Sequence, residues 1–386
     1  MVRAVRDGQS IRSVAKRFRV SVGTVHFWLE RCRGQRLDRF DFDDRKSGAA
    51  RPWNRVSMAT ERQVLNLRRQ LKERSVLGEY GAPMIQAAMR EQARVPVPSV
   101  ATISRILVRH GVVDGRGRQR RPAPPPGWYL PAVAQGKAAL DCFDIVEDLK
   151  LKDGPLFSVL TATSLHAGEV GAWPSEHVSA KSVVACLIER WSELGLPTYA
   201  QFDNDTIFQG AHQWPDTLGR VIRLCLALQV TPVFAPPREP GFQNSIESFN
   251  GLWQTKVWQR FQFADLAQLL HHSARYIQAR RQRNAQRLDS APRRRAFPRP
   301  FRFDPRQLFA GSVIYLRRTD NQGQLHLLGH RLLVDAHWVN RLVRCEVHLH
   351  RSQIQCFALR RRAPNEQTLL ATLAYQWPNK PFKGDL

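Results

Sequence analysis

The chain has 386 residues, with 59 Lys and Arg against 33 Asp and Glu, a formal net charge of +26 and an isoelectric point near 11.0. Its 43% hydrophobic content suits a globular protein of about two to four domains. No apolar run reaches the ~18 residues of a membrane span, and MVRAVRDGQS lacks the apolar centre of a signal peptide. The six cysteines form no CxxC pair or Cys/His cluster, which argues against structural zinc and a disulfide framework and implies a reducing, intracellular setting.

The charge is segregated along the chain. Residues 1–130 carry a net of +16, residues 131–270 a net of −5 and residues 271–386 a net of +15. Two basic arms around an acidic middle point to a polyphosphate partner, held by Coulomb attraction and counterion release. A protein that was merely basic would have no reason to sort its charge this way.

Residues 1–35 read as a helix-turn-helix. Ser10 N-caps a helix with Ile11, Val14, Ala15 and Phe18 at i, i+3, i+4 and i+7, and a turn at Arg19-Val20-Ser21 leads into a second helix. Val25, Trp28 and Leu29 share its inner face, leaving Ser21, Thr24 and Arg31 on the face free to enter a major groove. The alternative is a helical hairpin of an unrelated core. Residues 36–56 read as a charged linker.

Residues 57–113 repeat the idea as a second helix-turn-helix or winged-helix-like module. Thr60-Glu-Arg-Gln63 fits a capping box. Gly81-Ala-Pro83 opens a further helix, and Ser99 caps another whose inner stripe is Ile103, Ile106 and Leu107. Ser99, Thr102, Arg105 and Arg109 are its candidate DNA contacts. Residues 114–134 contain GRGRQRRPAPPPG, a basic, proline-rich connector of the semi-rigid kind.

The acidic middle, 135–275, reads strand-rich first and alternating afterwards: strands over Leu140–Leu149, Leu156–Thr163 and Val170–Trp173, then helix 179–194, strand 198–202, helix 218–228, strand 230–235 and helix 244–260. That order gives an α/β sheet layered with helices. Residues 276–308 are dense in Arg and Pro and read as a basic linker. Short apolar runs with Gly or Asn breaks over 309–362 read as a small antiparallel β-barrel, a third nucleic-acid contact. Residues 363–386 are left as a tail.

Three carboxylates fall at structural punctuation points: Asp144 within a strand, Asp203 after one, and Glu247 at the start of a helix. Hard divalent cations bind through such groups. Two ions roughly 3.5–4 Å apart can serve both sides of an in-line phosphoryl transfer. Each residue also has a structural explanation. Asp203-Asn204 fits an Asx turn, Asn244-Ser-Ile-Glu247 fits a capping box, and Asp144 could be an exposed strand residue.

At FDIVED (143–148), QFDND (201–205) and GFQNSIESFNG (241–251), the chain resembles the DDE transposase and retroviral-type integrase superfamily. Insertion-sequence transposases with a helix-turn-helix front are the nearest likeness. The resemblance implies a multidomain protein with N-terminal helix-turn-helix modules, a ribonuclease-H-like catalytic core and a C-terminal β-barrel. It implies Asp144, Asp203 and Glu247 as catalytic metal ligands for two Mg²⁺ (or Mn²⁺) ions, Asn204 and Asn244 as supporting residues, and Lys256 as a DNA-phosphate contact. Asp141 in LDCFD competes with Asp144 for the first position; Asp144, flanked by Phe143 and Ile145, is preferred. Asp205 replaces the family's usual glycine, Ser245 replaces another, and the second and third acids stand 44 positions apart.

The implied reaction has two steps at one site. Water frees a 3′-hydroxyl at an element end, and that hydroxyl then attacks a target-DNA phosphate, with no ATP and no covalent protein–DNA link. The implied partners are double-stranded DNA and further copies of the chain, as a dimer or tetramer, and no membrane. The implied place is cytoplasmic and nucleoid-associated, of bacterial type. The rival readings are an inactive or domesticated DNA-binding regulator and a ribonuclease-H-like nuclease that cuts without joining.

Overall fold

The computed structural model describes residues 1–43, 56–92, 97–113, 124–151, 154–211, 213–307 and 310–378. Two compact units emerge, Met1–Glu61 and Arg62–Leu386. No helix among the described residues is long and apolar enough to cross a membrane. Residues 114–123 of the connector 114–134 and residues 44–55 of the linker 36–56 lie outside the described residues.

The first unit is built on α1 (Val2–Arg6), α2 (Ile11–Phe18) and α3 (Val22–Arg31). Ser10 caps α2, and Arg19, at φ 53°, ends it in the left-handed conformation that turns the chain into α3. Val14, Ala15 and Val25 form the core, with Ile11, Val20 and Leu29 packed around them. The helices and the turn at Arg19 lie where the spacing places them.

Helix α4 (Met58–Arg74) contains the boundary between the units, and α5 (Ala82–Glu91) and α6 (Val100–Arg109) belong to the second. The cap of α4 is Ser57, whose Oγ accepts from Thr60 N at 3.1 Å, so the helix starts ahead of the expected Thr60 capping box. Three helices open on the same Ser-x-x-Thr arrangement: Ser21 with Thr24, Ser57 with Thr60, and Ser99 with Thr102. After the short α7 (Pro131–Ala134), β1 (Leu140–Lys150), β2 (Leu156–Ser164) and β3 (Val170–Ser175) form an antiparallel meander. Then come α8 (Ala180–Leu194), β4 (Tyr199–Phe202), α9 (Thr206–Gln209), α10 (Arg220–Ala227) and β5 (Thr231–Phe234). Helix α11 (Asn244–Trp253) passes through a π-helical turn, Gln254–Trp258, before α12 (Leu266–Asn284).

The C-terminal strands are β6 (Ser312–Arg318), β7 (Gln324–Leu327), β8 (His330–Leu333), β9 (Leu342–His348), β10 (Gln353–Ala358) and β11 (Leu369–Ala374). They correct the expectation of a separate barrel. β6 pairs in parallel with β5, and β9, β10 and β11 follow antiparallel, giving one nine-stranded sheet in the order β11-β10-β9-β6-β5-β4-β1-β2-β3. Only β7 and β8 stand apart, as a two-stranded sheet. The physical reason is the β5 edge: a four-residue, half-apolar parallel strand would otherwise expose unpaired N–H and C=O groups. The tail is also more ordered than composition indicates, since β11 lies within 363–386.

The sheet separates two cores. Phe143, Trp191, Phe202, Phe234 and Tyr315 sit on the α8–α10 side. Cys142, Val146, Ile246, Phe249 and Trp253 sit on the α11–α12 side. The mixed sheet with helices on both faces is consistent with a ribonuclease-H-like core.

The predicted linker 276–308 is stitched into this core. α12 runs to Asn284, and Arg294 reaches the fully buried Asp141, which also binds Arg190, Ser164 and Trp191. Burial alone would raise the Asp141 proton affinity, but Arg190 and Arg294 more than offset it and hold the carboxyl well below its ordinary range. Asp141→Ala would strand two guanidiniums in a dry core. It should cost about 3–5 kcal/mol in denaturant unfolding; a loss under about 1 kcal/mol would contradict this account.

Candidate active site

Strand alternation decides which acid faces where. Asp141, Phe143 and Ile145 point to the α8 side, whereas Cys142, Asp144 and Val146 point to the α11 side. The Asp141 carboxylate is consumed by its arginines, while Asp144 stays partly exposed at the sheet surface.

β1 and β4 run parallel, with Leu140, Asp141 and Cys142 opposite Tyr199, Ala200 and Gln201. One step further, Phe143 stacks on Phe202 with ring centroids 5.3 Å apart. Continuing that register points Asp144 toward the turn that carries Asp203. The Asp203 charge acts on Asp144. Asp144 is pushed up to about 6, first by burial and then by the Asp203 charge, with Glu247 adding to the effect and the Ile145 N–H and Asn250 amide opposing it. Asp203 is also raised, mainly by burial, with the Asp205 and Glu147 charges contributing.

The turn after β4 accounts for Asp205, the residue that replaces a glycine. Its Oδ1 accepts from Ile207 N at 2.6 Å, capping α9, and its own N–H donates to Asp203 Oδ1 at 3.0 Å. Asn204 ties the turn sideways: its Nδ2 donates to Ala235 O, after β5, and its Oδ1 accepts from Gln209 Nε2, both at 2.6 Å. The Asx-turn explanation therefore holds for Asp203, through Oδ1, and is repeated at Asp205; Asp203 Oδ2 takes no part in it.

Glu247 is exposed on α11. The capping-box explanation fails, because α11 starts after Gln243 with no side-chain cap, and the Glu247 N–H donates to Gln243 O at 3.0 Å. Asn244 is exposed at the first helical residue and makes no hydrogen bond to these carboxylates among the described residues. Two residues that sequence reasoning missed hold the frame. Asn250, buried on α11, donates through Nδ2 to Asp144 Oδ2 and accepts from Thr161 Oγ1, each at 2.7 Å. Gln201, buried on β4, donates to Phe242 O at 2.9 Å and fixes the approach to α11.

Among the described residues, no three His, Cys, Asp or Glu side chains converge tightly enough to hold an ion as they stand. The donor set nonetheless fits a hard divalent cation: two neighbouring carboxylates held together against their own repulsion, with a third in their field.

The expected DNA contacts fare unevenly. Ser21 and Ser99 are spent as N-caps, with Thr24 and Thr102 as their partners. Arg31 turns inward instead of outward: it lies 4.7 Å over Trp28 and donates to Asp43 O at 2.7 Å. Arg105 and Arg109 are exposed on α6. Lys256 sits in the π-helical turn and donates to Gly78 O at 3.0 Å, beside Arg260, which donates to Ser75 O at 2.7 Å. It clamps the α4–α5 loop to the core instead of reaching outward for a phosphate.

No protein-family model and no curated protein matches the chain. Among solved structures it is similar to the HTLV-2 integrase catalytic core in complex with magnesium, dimeric form, at 14% identity over 35% of this chain and 81% of that one, TM-score 0.27. It is also similar to the catalytic core of BIV integrase at 17% identity, 36% and 80% coverage, TM-score 0.29. A third is a simian T-cell lymphotropic virus intasome, at 15% identity, 67% and 87% coverage, TM-score 0.33. At these scores the likenesses are remote, and the functional reading rests on the residues.

The folded protein holds the Asp144 proton to higher pH than an unfolded chain does. That contribution to stability is present below about pH 4 and is lost as the pH rises to about 6. In metal-free buffer at pH 7.5, Asp144→Asn should therefore raise the melting temperature, by the equivalent of about 1–2 kcal/mol. Mg²⁺ should stabilise the wild type and leave the variant unmoved. A variant that melts lower in chelator, or still responds to Mg²⁺, would contradict the site.

Proposed function

We propose that the chain is a DNA transposase or integrase, a polynucleotidyl transferase that binds element ends and joins them to target DNA. The observation that carries this reading is the Asp203 charge acting on Asp144 where β1 and β4 run parallel, inside the acidic middle of a chain of net charge +26. Polycationic flanks suit a DNA substrate, and a small carboxylate cluster between them suits phosphodiester chemistry.

Asp144, Asp203 and Glu247 are the residues that would hold Mg²⁺ or Mn²⁺, with two ions as the expected complement. A divalent cation, when bound, supplies Lewis-acid charge at the phosphate oxygens. The protein's part is orientation. Asn250 holds Asp144 Oδ2 and the Ile145 N–H holds Oδ1, Asp205 and Asn204 set the Asp203 turn, and Gln201 anchors the lead into α11. In the first step, water attacks phosphorus at the element end and the bond to the 3′-oxygen breaks. In the second, the freed 3′-hydroxyl attacks a target phosphate and displaces a target 3′-oxygen.

Of the helical modules, α6 offers its exposed Arg105 to DNA, and Ser21, Thr24, Ser99 and Thr102 mark the two helix starts that would meet a backbone. A paired-end reaction calls for a dimer or tetramer on DNA.

The test is incubation of the protein with Mg²⁺ or Mn²⁺, terminal-repeat DNA and a target plasmid. Joined product is expected, and Asp203→Asn should reduce it more than ~100-fold, the kinetic equivalent of the several kcal/mol a lost metal ligand removes. Cutting without joining would indicate the nuclease, and binding without cutting the regulator; either result overturns the reading.

A further inference from the structure

A cavity of about 320 Å³ opens beside the turn that carries Asp203, walled by Asn204, Gln209, Trp214, Tyr315, Arg317 and His326. Asn204 directly follows Asp203, so the cavity and the carboxylate pair share that turn. The facing wall exists because β6 joins the core sheet. β6 pairs in parallel with β5, Phe234 opposite Tyr315, which sets Arg317 beyond the carboxyl end of β5. β1, β4, β5 and β6 are all parallel to their neighbours in that run. Ligands of open α/β sheets bind outside these carboxyl ends.

Arg317 is the unexplained group in this cavity. Its guanidinium donates to Leu316 O at 2.9 Å and lies 5.1 Å over the Tyr315 ring. Among the described residues no carboxylate is within ion-pair reach of it. Of the other enclosed arginines, Arg190 and Arg294 meet Asp141, Arg344 meets Glu346, and Arg223 donates to Leu218 O and Pro305 O. Burial correspondingly pulls the Arg317 proton affinity down. A half-buried cation without a counter-charge costs stability, and it is balanced when an anion arrives from outside.

Trp214 gives the cavity its second feature. It is 65% exposed, an unusual state for the largest aromatic side chain, and offers a flat face at the rim. A guanidinium for a phosphate and an indole for a base are the two elements by which single-stranded nucleic acid is held. The cavity lies at the small end of ligand pockets, too small for a base pair.

We propose that this cavity captures one unpaired nucleotide at the DNA end being processed, its phosphate against Arg317 and its base against Trp214, beside the turn that follows Asp203. The proposal rests on the reading of the chain as a DNA-processing enzyme. It assigns the C-terminal strands a place in the site itself.

The test is fluorescence anisotropy with the full chain in chelator, comparing a blunt duplex with the same duplex bearing a short unpaired 5′ overhang. The overhang should bind about tenfold tighter. Arg317→Gln and Trp214→Ala should each erase that advantage and leave blunt-duplex binding unchanged. Arg317→Gln should also melt no lower than the wild type, since it removes an uncompensated charge; a structural role would lower the melting temperature. Equal affinity for both duplexes, or an advantage that survives both variants, overturns the proposal while the DNA-processing reading stands. Binding of a free deoxynucleoside monophosphate without any overhang preference overturns the assignment to a DNA strand. Failure to bind either duplex overturns the DNA reading itself.

Discussion

The constraint on which the site depends is the parallel register of β1 and β4. Parallel strands place residues side by side with no freedom to slip, because a one-residue shift would turn the buried set outward. Here the stacking of Phe143 on Phe202 pins that register one residue before the acids. Two like charges are thus held together where a flexible chain would let them part. The repulsion is stored in the fold, and it appears as the raised proton affinity of Asp144.

Asp141 and Asp144 show how three residues of strand can separate structure from chemistry. Both are aspartates in the same strand of a polycation. Asp141 faces the drier side, where Arg190 and Arg294 close over it and make it part of the core. Asp144 faces α11, where the Asn250 amide and the Ile145 N–H hold it and, among the described residues, no cation pairs with it. The alternation that hides one carboxylate is what frees the other.

Much of the element order was legible from periodicity and caps. Ser10, Ser21, Ser99 and Ser179 each mark a helix start, and the strand-rich opening of the acidic middle follows from its apolar runs. The misses have physical causes. The short runs over 309–362 carry the same alternation whether they close on themselves or extend a neighbouring sheet, and only the open edge of β5 decides between the two. Arg31 and Lys256 were expected outward because the i, i+4 pattern says which helical face is free, but not what another segment will lay across it. Asn250 and Gln201 left a readable trace: each is a polar amide at a position whose neighbours in the pattern, Ile246, Phe249 and Trp253 or Ala200 and Phe202, are buried and apolar.

With β6 beside β5, the C-terminal strands belong to the same sheet that carries the acids, so its carboxyl edge is shared by the middle and the end of the chain. On the proposed reading, Asp144 and Asp203 hold a divalent cation jointly. Manganese anomalous scattering from crystals of the full chain soaked in Mn²⁺ tests it most directly. A peak bridging the Asp144 and Asp203 carboxylates is predicted. A peak elsewhere, or no peak there with both side chains ordered, would contradict it.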